Sequence, residues 1–132
     1  MAVLGPRSKS AALLGQLTVC TFLDVVNTLW LNDPCSLGMF FYKNDNQESD
    51  IEILTVDLTQ GAHYTNQNLN PAGGPSSTAT KPLPGDATIT MHEYRLDWHE
   101  GSTTFYLDGV LQQTISENVP DTPGAWLWNN WR

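Results

Sequence analysis

Residues 47–54 read QESDIEIL, and this stretch decides how the chain is interpreted. Glu48, Asp50 and Glu52 occupy alternate positions, and an isoleucine follows each of the last two. Because successive side chains of a β-strand point to opposite faces, the pattern predicts a strand with one acidic and one apolar face. Three carboxylates on one face repel each other. They could protect an edge strand, form an exposed or metal-binding acidic face, or make a catalytic row.

The composition fits one globular domain with a neutral, polar surface. Of the 132 residues 40% are hydrophobic, which is enough for a core. Fourteen acidic against six basic residues give a formal charge of −8, the wrong sign for binding phosphates or an anionic membrane surface. We therefore expect no nucleic-acid partner. Only 15% of residues are charged, and such a surface suits carbohydrate, which is recognised by hydrogen bonds and stacking.

The first segment, residues 1–36, has no clear assignment and could be a leader or non-native sequence. It is apolar without a clean period, so helix and strand both remain open. Arg7 and Lys9 precede an apolar run that matches a signal peptide poorly and is too short and too polar to span a bilayer. Cys20 and Cys35 permit one disulfide or two free thiols.

The rest of the chain, residues 37–132, indicates short strands joined by turns. Asp108-Gly109 lies between two apolar runs and predicts a hairpin. Residues 67–86 are dense in Pro, Gly, Ser, Thr and Asn and predict a long surface loop. Aromatic, β-branched or alternating stretches predict strands at 39–43, 48–57, 87–98 and 102–115. The pattern predicts an all-β, antiparallel sandwich or barrel.

The end of the chain is strongly aromatic. Trp126, Trp128 and Trp131 lie within GAWLWNNWR, the last nine letters of the sequence. Three tryptophans on a strand need neighbouring strands to cover them or a ligand to stack on them. We therefore expect a sandwich that is incomplete in this chain.

The acidic row has the chemistry that glycoside cleavage requires. Glu48 and Glu52 have Cα atoms about 13 Å apart on a flat strand, whereas retaining glycosidases hold two carboxyl groups about 5–5.5 Å apart. A concave sheet with inclined side chains would close much of that difference. Asp50 lies between them and can orient a neighbour, and the three acids would titrate as a coupled group. One carboxyl could then keep a proton while another is ionised.

Metal sites and other hydrolase sites have less support. The histidines at 63, 92 and 99 form no H-x-x-x-H motif and no Cys/His cluster. We expect no transition metal. His92 is expected to hold a strand pair or to border a cleft. The sequence also carries no recognisable hydrolase triad and no phosphate-binding loop.

Five ordered segments resemble family 16 glycoside hydrolases, the lichenase and laminarinase group. The first is Glu-x-Asp-x-Glu within QESDIEIL, which is similar to the family's catalytic signature. The others follow in the family's order, as HYTN at 63–66, His92, Tyr94 and Trp98 in H-x-Y-x-x-x-W, TTFYLDGVLQQT at 103–114, and NVPDTPG at 118–124 with WNNW at 128–131. The likeness covers about Met39 to Trp131. Within it, residues 40–54 and 92–98 resemble fungal secreted or wall-associated members most.

The resemblance implies a role for each site residue. Glu48 would be the nucleophile, Glu52 the general acid and base, and Asp50 the residue that tunes Glu48. The substrate-binding residues implied are Tyr64, His92, Asn129 and Trp131, with Trp131 as a stacking platform. Core packing is the alternative for the two aromatic residues.

The resemblance also implies a jelly-roll sandwich of the concanavalin A type that cleaves internal β-1,3 or β-1,3/1,4 bonds of β-glucan with retention. A catalytically incompetent glucan-binding sandwich and a cell-wall transglycosylase are the alternatives. Complete members are longer, so residues 37–132 would be a partial catalytic domain. A monomer, a secreted or wall-associated location, and no cofactor are expected. A structural calcium ion is compatible with the family, but the sequence identifies no ligands for it.

Overall fold

The computed structural model describes residues 16–23 and 36–131, and it describes side chains within 36–129. The described chain forms short strands and one turn of 3-10 helix at Leu58–Gln60. The strands are β1 Gln16–Leu23, β2 Ser36–Asn44, β3 Gln47–Leu54, β4 Ala62–Asn66, β5 Ser77–Lys81, β6 His92–His99, β7 Ser102–Leu107, β8 Val110–Ile115 and β9 Ala125–Trp131.

The strands form two antiparallel sheets, which confirms the predicted sandwich. One sheet has the order β5-β4-β3-β2-β9, and the other has the order β1-β6-β7-β8. Strand β3, which carries the acidic row, therefore lies in the centre of the five-stranded sheet, paired with β2 and with β4. Charge protection of an edge strand does not explain the row.

The core lies between the two sheets and is made by alternate residues of the strands. Ile51 and Ile53 of β3 are fully buried, as the alternation predicts. Two aromatic pairs join the sheets: the rings of Phe41 and Trp98 stack with centroids 5.0 Å apart, and those of Tyr64 and Phe105 are 5.2 Å apart. Such pairs add stability beyond the area that they bury. The apolar face of β3 is thereby fixed toward the core, and its acidic face toward the outside.

The predicted hairpin is confirmed at Asp108 and Gly109. Their φ angles are 50° and 75°, and two consecutive residues with positive φ match the twist of the flanking strands β7 and β8. Asp108 also accepts a bond from the backbone N–H of Glu93. Its side chain therefore ties the turn to the neighbouring strand β6.

Two boundaries differ from the prediction. Residues 77–81, expected within a loop, form the edge strand β5, because their backbone pairs with β4 and Thr78 bonds to Thr65 at 3.0 Å. Residues 87–91, expected in a strand, instead form a turn. The carbonyl of Asp86 accepts bonds from the N–H groups of Ile89 and Thr90. These local bonds delay strand β6 until His92.

Strand β1 lies inside the segment that had no assignment from the sequence. Its eight residues pair antiparallel with β6, from Gln16 opposite His99 to Leu23 opposite His92. The question of a disulfide between Cys20 and Cys35 falls outside the described side chains. Among the described residues, no helix has the length and apolarity that crossing a bilayer would require.

Candidate active site

The three predicted catalytic carboxylates lie together on the outer face of β3. Each is partly buried, whereas Ser49, Ile51 and Ile53, which alternate with them, are fully buried. Neighbouring strands extend the row sideways, because residues directly opposite in an antiparallel pair share a face. The register gives three cross-strand rows: Glu48 with Tyr42, Asp50 with Thr65 and Phe40, and Glu52 with His63 and Gly38.

These rows form the floor of an open groove with a volume of about 500 Å³. The three acids line it together with residues from β2, β9 and the turn after β2. Those residues are Gly38, Phe40, Tyr42, Asp45, Leu127 and Asn129, and Gln67 adds a side chain from the β4 side. Carboxylates, aromatic rings and amides in one groove can bind sugar rings and polarise their bonds.

Asp50 is the most perturbed acid of the row. Burial, which disfavours the charged form, and the neighbouring Glu48 carboxylate together raise the pKa of Asp50 to about 8. A hydrogen bond between the two carboxyl groups requires a proton, and it favours the protonated Asp50. The amide of Gln67 acts in the opposite direction, since it donates to Asp50 Oδ2 at 2.7 Å.

The two glutamates differ in their environments. Burial raises the pKa of Glu48, whereas the hydrogen bond with Asp50 lowers it. Glu52 instead accepts a hydrogen bond at 2.5 Å from the hydroxyl of Ser36, which precedes the buried part of β2. Glu48 therefore interacts with a second acid, Asp50, whereas Glu52 is held by the neutral hydroxyl of Ser36.

Asn129 lies in the groove, as predicted. Its Oδ1 atom is buried and has no hydrogen-bond partner among the described residues. Gly38 makes room for it, because a Cβ atom at this position would lie 2.6 Å from Asn129 Oδ1. On the other side of Glu52, the Nε2 atom of His63 is also buried and without a described partner. Both groups border the acid at the groove floor.

Tyr64 and His92 do not line the groove. Tyr64 is fully buried on the core face of β4, because its register places it opposite Ile51. His92 belongs to the other sheet, where its Nδ1 lies 2.7 Å from Asp108 and its Nε2 lies 3.3 Å from Asp86. This position fits the predicted role of His92 in holding a strand pair. The predicted contacts of Tyr64 and His92 with sugar do not fit the positions of these two residues.

Trp131 is placed only by its backbone. It ends β9 and pairs with Ser36, while its side chain lies outside the described part of the chain. The stacking role that the resemblance implies for Trp131 remains a prediction.

Several groove residues were not identified from the sequence. Gln67 lies in a segment that reads as loop, and Ser36 lies at the boundary of the unassigned segment. Phe40 and Tyr42 belong to a predicted strand, but nothing in MFFYK tells which residues face outward. Alternation from Glu48 across the β2–β3 pair would have identified them, had the register been known.

No metal centre is assigned. Within residues 36–129, no three His, Cys, Asp or Glu side chains are arranged to bind a metal ion. The acidic row therefore does not read as a metal site, and the described part of the chain provides no such cluster for a structural calcium ion.

A β-sandwich with an acidic row in an open groove on its central strand fits a glycoside hydrolase domain, which uses a pair of carboxyl groups. The chain belongs to glycosyl hydrolases family 16, whose model matches residues 25–126. The beta-glucanase of Paenibacillus polymyxa is 40% identical over 86 residues, which cover 64% of this chain and 34% of that protein. Family membership confirms the resemblance found in the sequence.

Solved structures support the same fold. The beta-glucanase of Bacillus licheniformis matches with a TM-score of 0.61 at 25% identity, over 89% of this chain and 52% of that one. A Crh5 transglycosylase in complex with NAG also matches with a TM-score of 0.61, at 17% identity, over 89% of this chain and 48% of that one. The second likeness concerns the fold alone. The chain spans about a third of the curated relative and about half of these structures.

Proposed function

We propose that this chain carries the catalytic row of a retaining endo-β-glucanase, with Glu48 as nucleophile and Glu52 as general acid and base. The observation that carries the proposal is the row itself. Three carboxyl groups lie on one outward face of the central strand, at the floor of a groove that also contains aromatic and amide side chains. The chain's family, and a curated relative named beta-glucanase, support the substrate class.

In the first step Glu52 donates its proton to the glycosidic oxygen as the bond to the anomeric carbon breaks. Glu48 attacks that carbon from the other face and forms a glycosyl ester, and the leaving sugar departs with the proton. In the second step Glu52 takes a proton from water, whose oxygen attacks the anomeric carbon. The ester bond to Glu48 breaks, and the configuration is retained.

Asp50 fits the role of a proton holder beside the nucleophile. With its pKa near 8, it is protonated at neutral pH and can donate a hydrogen bond to Glu48. That bond lowers the pKa of Glu48 against the effect of burial. A carboxylate nucleophile must be ionised, so the neutral Asp50 keeps the attacking group in its reactive form.

The groove offers contacts that suit a glucan chain. Phe40 and Leu127 lie side by side across β2 and β9, next to Asp50, and provide an apolar surface for a sugar ring. Asn129 lines the same groove and adds an amide side chain that can bond to a sugar hydroxyl. Location outside the cell, a monomeric state and the exact linkage remain predictions.

Transfer to a sugar acceptor remains the second candidate, because it uses the same glycosyl ester. It differs only in whether water or a sugar hydroxyl attacks. The Crh5 transglycosylase shares the fold but is too distant in sequence to favour transfer over hydrolysis.

The test is an assay of the purified 132-residue chain on lichenan and laminarin, with chitin as a control polysaccharide and products separated by size. Glu48→Ala and Glu52→Gln should each reduce turnover at least about a hundredfold, the scale of acid–base catalysis. Circular dichroism would establish that both variants are folded. Products longer than the substrate would indicate transfer.

Turnover that survives in either folded variant would refute the assignment of that residue. A folded wild-type chain that binds glucan without releasing products would instead support the glucan-binding alternative.

A further inference from the structure

Gln67 contacts the acidic row although it lies beyond the last residue of β4. Its backbone N–H donates to the carbonyl of Glu48 at 3.0 Å, which continues the β3–β4 ladder by one residue. Gln67 is two positions after Thr65, which lies directly opposite Asp50 on the outer face. By alternation, the Gln67 side chain is therefore on the same face as the three acids.

The amide of Gln67 is held from both ends. Its Nε2 donates to Asp50 Oδ2 at 2.7 Å, and its Oε1 accepts from the hydroxyl of Ser76 at 2.7 Å. Ser76 directly precedes β5, whose first residue pairs with Asn66, so it lies next to Gln67 across the strands. The oxygen of the amide is occupied by Ser76, which leaves the NH₂ group for Asp50.

The loop that separates Gln67 from Ser76 is fixed by asparagines. Asn68 donates to the carbonyl of Pro75 at 2.8 Å, and Asn118 donates to the same carbonyl at 3.2 Å. Asn46, from the turn after β2, donates to the carbonyl of Asn68 at 2.9 Å. Ser76 is therefore placed by bonds that do not involve the acids.

The hydrogen bond from Gln67 to Asp50 Oδ2 determines which oxygen of Asp50 can carry the proton. Because Gln67 donates to Oδ2, a proton on Asp50 is best placed on Oδ1. That atom is buried and has no hydrogen-bond partner among the described residues. Its bond with Glu48 forms when Asp50 is protonated.

We propose that Gln67, oriented by Ser76, is a positioning residue that fixes the rotamer of Asp50 and directs its proton toward Glu48. This inference rests on the proposed function for its catalytic consequence, but not for its structural one. Without Gln67, Asp50 can turn, and the nucleophile loses a hydrogen bond of fixed direction. Gln67 acts through Asp50 and needs no contact with the substrate.

Other titratable groups near Asp50 also affect its titration, and their contribution must be distinguished from that of Gln67. Glu48 and Glu52 flank it on β3, His63 lies opposite Glu52 on β4, and Asp45 lies in the turn after β2. These groups are unchanged when Gln67 is replaced. A change in the titration of Asp50 would then report the loss of the amide.

The experiment is a ¹³C NMR titration of the Asp50 carboxyl in the full chain, with Gln67→Leu compared with wild type. The amide favours the ionised Asp50, so its loss should raise the Asp50 midpoint by up to about one pH unit, at most a tenfold higher proton affinity, because a weaker bond with Glu48 acts in the opposite direction. The midpoint of Glu48 should rise in the same variant, since the bond with Asp50 that lowers the pKa of Glu48 is weakened. Thr65→Val is the matched control, since Thr65 is opposite Asp50 and bonds to Thr78 instead. Its midpoint should equal that of the wild type.

Ser76→Ala gives a milder second variant that keeps the amide, and its midpoint should move in the same direction by less. If neither variant shifts the midpoint, or if Thr65→Val shifts it equally, the inference is wrong.

Kinetic measurements test the proposed function separately from the role of Gln67. Where wild type hydrolyses glucan, Gln67→Leu should lower kcat about tenfold with KM unchanged. If the folded wild-type chain has no activity, the proposed hydrolysis is refuted. The titration then still tests whether Gln67 positions Asp50.

Discussion

Replacing Asp50 by Asn should stabilise the fold, and more so as the pH rises. Asp50 is buried beside Glu48, and its pKa rises from an ordinary value of 3.8 to about 8. Between these values the folded protein keeps a proton that the unfolded chain has released, so the stability of the wild type falls as pH increases. Asparagine has the same shape and carries no charge at any pH. It also keeps an NH₂ group that can donate to Glu48.

The magnitude follows from the shift. At about 1.4 kcal/mol per pH unit, a rise of roughly four units corresponds to about 6 kcal/mol when the pH is above both values. This is an upper limit, because Glu48 remains buried next to the substituted residue and keeps part of the cost. We therefore expect Asp50→Asn to gain about 2 kcal/mol or more at pH 8, and less than half of that gain at pH 4.5.

Urea unfolding of both proteins, followed by tryptophan fluorescence at several pH values from 4.5 to 8, would measure the difference. The slope of the difference with pH is the informative quantity, since any change in packing would be independent of pH. A constant difference across this range, or a loss of stability that grows toward pH 8, would refute the burial of a protonated Asp50. The variant should also turn over glucan more slowly, which would make the row an example of stability given up for function.

Two further substitutions test the placement of groove and core residues. Gly38→Ala would add a Cβ atom 2.6 Å from Asn129 Oδ1, so Asn129 must move. We expect a several-fold higher KM for glucan with the melting temperature nearly unchanged, and an unchanged KM would exclude Asn129 from substrate binding. Tyr64→Phe removes a buried hydroxyl that has no partner among the described residues, so the free energy of unfolding should stay within about 1 kcal/mol of wild type or rise. KM should not change, and a higher KM in a variant that calorimetry shows to be folded would return Tyr64 to the sugar-binding residues.

The strongest structural signals in the sequence were local ones. Alternation within QESDIEIL was sufficient to put Glu48, Asp50 and Glu52 on one face, because a β-strand repeats every two residues. Asp108-Gly109 was sufficient to predict a hairpin, since a residue pair of this kind tolerates two positive φ angles. Both features depend on the backbone of a few consecutive residues, and tertiary contacts did not change them.

The position of β3 in the sheet could not be read from its own residues. The same acidic strand would satisfy its alternation at an edge or in the centre. Only the pairing with β2 and β4 placed it in the middle of the sheet and made its outward face the floor of a groove. Burial of Asp50, and with it the raised pKa, follows from those neighbours.

Tyr64 illustrates why a face cannot be assigned from one strand alone. HYTN alternates, but either the His63 and Thr65 side or the Tyr64 and Asn66 side could have faced the groove. The register that sets Tyr64 opposite Ile51 sent it into the core. A shift of one residue would have exchanged the two sides.

Sequence alone determined the acidic face of one strand, the hairpin at Asp108-Gly109 and the family that the chain resembles, because these depend on short-range pattern. The tertiary structure decided which groups meet. Gln67 and Ser76 are nine positions apart and look like loop residues, yet the pairing of β5 with β4 aligns them with Glu48 beside the acidic row. Contacts between residues far apart in the chain depend on strand register, and register is fixed only when both sheets pack around a common core.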